Sequence, residues 1–414
     1  MRSYKYRISP DKDQIHLIEQ HFNCCRFIYN LALETKIVAY SGTKYNIPKR
    51  DLQKQLVSLK DECKWLRDIN SQSLQSQILN LDTAYINFFK GYSGFPKFKS
   101  KRGRQSFQCP QSVIIDFEKS LLHLPKFKSD IPIKLHRTFK GTIKTVTISK
   151  NLTGRYFASI LVDTGIIIPK KTIPTKEGAI GIDVGINSFA TVCNIDLTRS
   201  LKINNPKYLS VNKDMLSLRH RQFSKKKINS KNKEKARYRL ARLNEKISNQ
   251  RNDFINKVSY RLVNDNQVNT ICIEDLNVAG MMFNHTLARS ISDTAWGEFF
   301  RQLKYKCDWS GKNILKAERF SATSKTCHVC GYRNNFLTLS NRKWDCPICK
   351  THHDRDENAV PNIISSAFLK YNKNRDGLPE LTLGESLPLS SLITTKRKAR
   401  SKNQEKFLYN KGSQ

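Results

Sequence analysis

Two pairs of cysteines restrict the fold of this chain more than any other feature of its sequence. Cys327 and Cys330 form one C-x2-C pair, Cys346 and Cys349 form another, and fifteen residues separate the two pairs. Two knuckles that each present two thiolates can close a tetrahedral site around zinc. Because four thiolates leave no open coordination position, we predict one structural zinc ion in a zinc ribbon. Three nearby histidines are interpreted as polar neighbours of the ribbon and not as ligands: His328, His352 and His353.

The balance of charged residues indicates the class of partner. The 414 residues include 73 Lys and Arg against 35 Asp and Glu, a formal net charge of +38. A compact body with this charge repels itself unless a polyanion neutralises it. Nucleic acid is therefore the expected partner, and an anionic membrane surface is disfavoured because no amphipathic anchor is evident.

The remaining composition indicates a folded protein in a reducing compartment. With 38% hydrophobic residues the chain can bury real cores, which excludes wholesale disorder. Its longest apolar runs are too short to cross a bilayer, and the first residues lack the apolar segment of a signal peptide. Eleven cysteines, four of them in a metal-binding pattern, do not form a disulfide framework. We predict a cytoplasmic, prokaryotic, nucleoid-associated protein.

Several basic segments are candidate nucleic-acid contacts. The loop at 94–107 interleaves Lys and Arg with three Phe, a pattern that can follow phosphates and stack on bases. The segment between Pro206 and Gly280 contains no Gly or Pro, which predicts long helix, and its residues 219–239 include ten Lys or Arg against one acid. Solvated surfaces remain the alternative for both. The predicted contact residues are Gln72, Gln75, Lys97, Lys99, Lys101, Arg102, Arg104, Arg219, Arg221, Lys225, Lys226, Lys227 and Arg237.

Three acids stand at the ends of predicted elements. Asp183 ends an apolar run beside Gly185, Glu274 ends another apolar run, and Asp356 lies in an acidic cluster after the cysteines. If the three converge, their oxygens suit Mg²⁺ or Mn²⁺. Two such ions can activate a water for in-line attack on a phosphodiester and stabilise the leaving oxygen. Each acid could instead cap a turn.

These blocks resemble the TnpB (OrfB) family of transposon-encoded RNA-guided nucleases, which are related to type V CRISPR effectors. The similar segments are GIDVGINSFATV, ICIEDLNVAGM, TSKTCHVCG and DRDENA, with matching flanks up to about Lys370. The resemblance implies an α/β fold with an RNase H-like (RuvC) nuclease domain, an inserted zinc ribbon, and an N-terminal recognition lobe with helical and β-barrel-like parts. It also implies that Asp183, Glu274 and Asp356 are the catalytic acids that bind two Mg²⁺ ions, and that Asp354 supports the site or the local turn instead of holding metal.

The function implied by the resemblance is RNA-guided, Mg²⁺-dependent cleavage of duplex DNA. The implied partners are a guide RNA and a double-stranded DNA target, and no membrane is involved. One protein monomer acts on one RNA and reads a short motif beside the target. A nuclease-inactive RNA-guided repressor and an RNA-independent junction nuclease are the alternatives.

The predicted domain boundaries follow the motifs and changes in composition. The recognition lobe covers 1–175, with a helical part at about 11–107 and a β-rich part at 1–10 and 108–168. The nuclease domain then covers 176–320, the zinc ribbon 321–352, the last nuclease segment 353–370 and a basic flexible tail 371–414.

Two positions depart from the family pattern. Lys350 stands where the family usually has glycine after the fourth cysteine, so a left-handed backbone there would cost about 1 kcal/mol. Pro361 lies deeper than the first turn of the predicted last helix. An interior proline removes a helical hydrogen bond, at about 3 kcal/mol, and a kink there would misdirect Asp356.

Overall fold

The computed structural model describes residues 1–319, 321–338 and 340–376, without the side chains of the last two. Most of the segment expected to be a flexible tail lies outside the described residues, although its first part, up to Asp376, is helical. The chain divides into two compact units, which meet in sequence at Ile166 and Ile167. None of the helices in the described ranges is long and apolar enough to cross a membrane.

The first unit combines three helices with an antiparallel sheet. Its first helix begins at a capping box, in which the Asp11 side chain accepts from the Gln14 backbone N–H and the Gln14 side chain accepts from the Asp11 N–H. The helices are α1 (Lys12–Thr43), α2 (Lys49–Glu62) and α3 (Ser71–Phe89), with a short 3-10 helix at Lys64–Asp68. The strands are β1 (Arg2–Ile8), β2 (Gln105–Cys109), β3 (Ile114–Asp116), β4 (Leu121–His123), β5 (Ile131–Lys134), β6 (Thr142–Lys150) and β7 (Tyr156–Asp163).

The seven strands of the first unit form a single sheet in the order β2-β6-β7-β1-β5-β4-β3. The N-terminal strand β1 occupies the middle of this sheet, where it pairs antiparallel with β7 and β5. Side chains of the helices and of the sheet share one hydrophobic cluster, which includes Phe22 from α1, Leu74 from α3 and Ile160 from β7. A helical part and a β part therefore pack into one body.

The second unit is built on a mixed five-stranded sheet. Its strands are β8 (Ala179–Val184), β9 (Ser188–Cys193), β10 (Ser200–Asn204), β11 (Thr270–Ile273) and β12 (Asn313–Lys316), in the order β10-β9-β8-β11-β12. The first three form an antiparallel meander, and β11 runs parallel to both β8 and β12. When the five strands are numbered 1 to 5 in chain order, the sheet order is 3-2-1-4-5, which is the RNase H-like arrangement.

The helices of the second unit cover both faces of this sheet. They are α4 (Tyr208–Val211), α5 (Lys213–Ser224), α6 (Lys231–Val263), α7 (Val278–Met281), α8 (Ala288–Thr294), α9 (Trp296–Trp309) and α10 (Arg355–Asp376). Before α10, a two-stranded ribbon pairs β13 (Lys343–Asp345) with β14 (His352–Asp354). The long helix expected between Pro206 and Gly280 is confirmed as α6, preceded by α5.

Alternate residues of the central strands pack against different helices. In β8, Ile180 and Ile182 belong to the cluster that contains residues of α6 and α9, whereas Ala179 belongs to the cluster formed with α10. In β11, Ile271 and Ile273 face the first cluster and Cys272 the second. Because side chains alternate along a strand, the residues that follow Ile182 and Ile273 point to the face that α10 covers.

Gly181 allows α10 to approach the sheet closely. A β-carbon at Gly181 would lie 2.6 Å from Cγ1 of Val360 and 3.0 Å from the Val360 carbonyl oxygen, both on α10. Contacts this short force the Val360 side chain and the backbone of β8 or α10 to shift.

We expect Gly181→Ala to displace α10 and to destabilise the second unit by about 1–3 kcal/mol. Thermal unfolding followed by circular dichroism measures this loss. Gly297→Ala is the matched control, because a β-carbon at that position in α9 meets nothing within 4 Å. An unchanged melting temperature in Gly181→Ala would contradict the close contact.

Candidate active site and metal cluster

The register between β8 and β11 brings two of the predicted acids together. Ile182 pairs with Ile273, so Asp183 and Glu274 are the next residues along two neighbouring parallel strands. Both follow residues that face away from α10, so both point toward the face that α10 covers. The structure thus places these two carboxylates side by side at one edge of the sheet.

The closeness of the two carboxyl groups changes their acidity. Burial raises the pKa of Asp183 well above its usual value, and the charges of Glu274 and Asp356 raise it further. Burial also raises the pKa of Glu274, against a hydrogen bond from Thr323 that lowers it. Protein atoms crowd these carboxyl groups, although both residues keep some exposed surface. The third acid therefore acts on the same site.

Asp356 reaches the site from the first turn of α10. Its neighbour Asp354 caps this helix, because one carboxylate oxygen accepts from the backbone N–H groups of Asp356, at 3.1 Å, and Glu357, at 3.3 Å. Asp354 also pairs with Lys202 at 2.7 Å. Of the two roles that the resemblance implies for Asp354, these contacts correspond to support of the local turn.

Arg342 supplies a positive charge to the acidic site. Its guanidinium lies 3.3 Å from a carboxylate oxygen of Asp356. The charges of Arg355 and Arg342 also lower the pKa of Asp183, against the larger effects of burial and of the other acids. Arg342 lies between the two cysteine pairs, so the ribbon contributes directly to the electrostatics of the site.

The two departures from the family pattern have different outcomes. Lys350 has a left-handed backbone with φ of 59°, as expected for a position that usually holds glycine. Pro361, by contrast, does not end the helix, since α10 continues through it to Asp376. The charge of Asp356, in the first turn of the same helix, raises the pKa of Asp183.

Four cysteines form a cluster that fits a metal ion. The sulfurs of Cys327, Cys330, Cys346 and Cys349 all lie within 4.8 Å of one another. In each pair, the backbone N–H of the residue after the second cysteine donates to the carbonyl of the first cysteine. Gly331 donates to the Cys327 carbonyl in this way, and Lys350 donates to the Cys346 carbonyl. These equivalent turns aim all four sulfurs at one point. A set of four soft sulfur donors is typical of structural zinc.

Two of the thiols differ in acidity. Hydrogen bonds from Thr351 lower the pKa of Cys349 to about 6, whereas burial raises the pKa of Cys327 to about 12. A ring nitrogen of His353 lies 3.1 Å from the Cys327 sulfur, while His328 contacts Asn358 and His352 contacts Asp345. The histidines thus neighbour the cluster, and the four-ligand set consists of cysteines.

The predicted nucleic-acid residues of the first unit lie on α3 and on the loop before β2. Gln72 and Gln75 are half-buried on α3, and most of the basic loop residues are exposed: Lys97, Lys101, Arg102 and Arg104. Lys99 is also exposed as a whole residue, but its ammonium group contacts other side chains. Its ammonium lies 3.8 Å from the centre of the Tyr29 ring and donates to Gln77, and burial lowers the pKa of Lys99 to about 8.

The predicted nucleic-acid residues of the second unit lie on α5, on α6 and between them. Arg219 is half-buried and donates to Gln222, and Arg237 pairs with Glu234 at 3.2 Å. The remaining members of the set are exposed: Arg221, Lys225, Lys226 and Lys227. These residues stay predictions as nucleic-acid contacts.

Three further residues around the acids were missed by sequence reasoning. Thr323 donates to Glu274 at 2.9 Å, and Asn358 and Asn362 bind backbone carbonyls of the segment that leads into the cysteines. A single sequence gives little indication of the roles of such uncharged residues. Their roles arise from contacts with residues 30 to 49 positions away in the chain.

Comparison with known proteins identifies relatives along most of the chain. A protein of Streptomyces pristinaespiralis named "Putative RNA-guided DNA endonuclease" is 35% identical, over 89% of each chain. The "Putative RNA-guided DNA endonuclease InsQ" of Escherichia coli K12 is 30% identical, over 88% of this chain and 92% of the relative. The chain belongs to the TnpB (OrfB) family.

Family models and a solved structure agree with this membership. Models described as "Probable transposase" and "Cas12f1-like, TNB domain" match residues 160–285 and 296–363. A cryo-EM structure of a Cas12f1-sgRNA-target DNA complex shares the fold, with a TM-score of 0.55, 18% identity and coverage of 85% of this chain and 83% of that one. Together these two models cover most of the described part of the second unit.

A third family model, described as a helix-turn-helix domain, matches residues 1–44. In this TnpB family member, that range consists of strand β1 followed by one continuous helix, α1. The match therefore reflects sequence similarity in the family, while the local structure is a strand and a helix.

The crowding of the acids gives a stability prediction that depends on pH. Because the folded-state pKa of Asp183 lies above its unfolded value of about 4, folding loses stability as pH rises between these two values. Without divalent cations at pH 7.5, we expect Asp183→Asn to raise the melting temperature by about 2–4 °C, equivalent to about 1 kcal/mol. The gain should disappear as pH falls to about 4, where the folded carboxyl is protonated.

A pH series of thermal melts measures this effect. Asp253→Asn is the control, because this acid is exposed on α6 and pairs with Lys257. A lower melting temperature for Asp183→Asn at pH 7.5 would show that the carboxylate is stabilised, contrary to our interpretation.

The cysteine cluster gives a prediction about metal content. We expect about one zinc ion per chain by atomic absorption, and Cys346→Ser should lose it and lower the melting temperature. Cys63→Ser, which changes a cysteine outside the cluster, should keep the zinc. Retention of a full equivalent by Cys346→Ser would exclude the four-cysteine site.

Proposed function

We propose that this protein is an RNA-guided, Mg²⁺-dependent DNA endonuclease. The carrying observation is the parallel register of β8 and β11, which sets Asp183 beside Glu274 on the face covered by α10. Two relatives carry the name RNA-guided DNA endonuclease, which supports the same activity. A guide RNA and a duplex DNA target are the proposed partners.

Asp183, Glu274 and Asp356 are the proposed ligands of two Mg²⁺ ions. Their carboxylates supply the hard oxygen donors that Mg²⁺ prefers. The three negative charges also repel one another, and a bound cation would neutralise them. When bound, such ions activate water and stabilise the leaving oxygen of a phosphodiester. The protein's part is to hold the three carboxylates at fixed positions on the sheet and on α10.

The remaining predicted elements have supporting roles in this proposal. Zinc, held by the four cysteines, stabilises the ribbon that carries Arg342. The exposed basic loop before β2 and the basic helices α5 and α6 bind RNA and DNA, with affinity that falls as salt rises. The guide reads most of the target by base pairing, while residues of the predicted recognition lobe, 1–175, read a short adjoining motif.

The nuclease-inactive alternative is not favoured. A repressor on this scaffold would be free to lose one of the acids, whereas this chain keeps Asp183, Glu274 and Asp356. The burial of charged carboxylates also lowers stability, which a protein that only binds DNA has no need to maintain.

Cleavage by purified complexes tests the proposal. With co-expressed RNA, Mg²⁺ and a matched duplex, we expect the unmodified protein to cut, and Glu274→Gln to lower the rate by about a thousandfold or more, because a metal ligand is lost. DNA binding should persist in Glu274→Gln. The rate is followed by gel electrophoresis of labelled duplex.

Asp275→Asn is a matched control for this substitution. Asp275 follows Glu274 directly but pairs with Lys316 at 2.9 Å and Arg319 at 3.5 Å, so it is engaged away from the other acids. Its variant should cut within about threefold of the unmodified rate. Binding without cutting by the unmodified protein would favour the repressor, and cutting that survives RNase treatment would favour the junction nuclease.

A further inference from the structure

We propose that Thr323 is a positioning residue for Glu274, and that through it the zinc ribbon controls the geometry of the Mg²⁺ site. This inference rests on the proposed nuclease function. Thr323 is 6% exposed, and its hydroxyl donates to a Glu274 carboxylate oxygen at 2.9 Å. Among the described residues, Thr323 is the donor that hydrogen-bonds to this carboxylate.

The need for such a donor follows from the charges at the site. Glu274 lies beside Asp183 on the neighbouring strand, and the two carboxylates repel each other. The glutamate side chain is longer and has more rotatable bonds than the aspartate, so repulsion can turn it away from the site. A hydrogen bond from a neutral hydroxyl to a carboxylate fixes one oxygen without neutralising the charge that a metal needs.

Thr323 is itself fixed to α10. Its carbonyl accepts from the Asn362 side-chain amide at 2.8 Å, and the same amide donates to the Thr326 carbonyl at 2.7 Å. Asn358, one turn earlier on the helix, donates to the Thr326 carbonyl at 2.8 Å. The helix that carries Asp356 therefore also holds the segment that carries Thr323.

The same network reaches the first cysteine knuckle. The side-chain oxygen of Asn358, a residue that is 1% exposed, accepts from the backbone N–H of His328 at 3.0 Å. His328 lies between the two cysteines of that knuckle. Because these donors and acceptors are continuous, ordering of the knuckle by zinc holds Thr323 in place, although none of the cysteines is a proposed Mg²⁺ ligand.

Three variants separate a positioning role from a packing role. Thr323→Val keeps the shape of the side chain and removes the hydroxyl, while Thr323→Ser keeps the hydroxyl. Thr326→Val is the matched control, because the Thr326 hydroxyl donates within its own segment, to the Ala322 carbonyl at 3.0 Å. Each variant is made in the full chain, with and without its RNA.

The first measurement is the Mg²⁺ concentration that gives half-maximal cleavage by the RNA complex. For Thr323→Val we expect an increase of about tenfold, the usual effect of losing a residue that orients a metal ligand. Thr323→Ser and Thr326→Val should stay within about twofold of the unmodified protein. If Thr323→Val lowers the rate equally at every Mg²⁺ concentration, or changes nothing, the positioning role is wrong.

The second measurement does not depend on activity. Mg²⁺ that binds the folded state raises the melting temperature of the RNA-free chain by mass action, and Asp183→Ala identifies the part of this rise due to the acidic site. Thr323→Val should lose most of that part, and Thr323→Ser should restore it. An equal Mg²⁺-dependent rise in Thr323→Val and the unmodified protein would overturn the inference.

The outcomes for the two proposals are distinct. An unmodified complex that does not cut at any Mg²⁺ concentration contradicts the proposed function. A complex that cuts normally, with Thr323→Val showing an unchanged Mg²⁺ dependence, contradicts only the role of Thr323.

Discussion

The parallel pairing of β8 with β11 is the contact on which the candidate site depends. Its register sets Ile182 opposite Ile273, and each acid comes one residue later. Since strand side chains alternate between faces, a shift of one residue would send Glu274 to the face packed against α6 and α9. Buried isoleucines on that face make such a shift costly, so the hydrophobic core determines where the carboxylates meet.

Close carboxylates oppose folding, and the structure around them offsets this cost. The close approach of α10 at Gly181 brings Asp356 toward the other acids. Arg342 balances part of the negative charge of Asp356, and Asp354 caps the N-terminus of α10. Polar side chains on α10 also bind the segment before the cysteines. The ribbon is thus part of the acidic site and is more than an appendage to the sheet.

Sequence reasoning succeeded where a residue type allows few alternatives. Cysteine spacing predicted the four-sulfur cluster, and Lys350 takes the left-handed backbone that a glycine-type position requires. Pro361, where the sequence predicted the loss of one helical hydrogen bond, does not end α10, because the helix packs on the sheet along its length. The contact of the Lys99 ammonium with the Tyr29 ring could not be predicted, since it joins separate elements.

The sequence by itself determined the element types, the two cysteine pairs and the three acids, because periodicity, spacing and ligand chemistry are local properties of a chain. Only the tertiary structure decided that the acids share one face and that a positive charge lies beside them. It also decided that Thr323, Asn358 and Asn362 connect the acids to the ribbon. These contacts depend on strand register and helix packing. Both are set by the total burial of many side chains, which no single segment encodes.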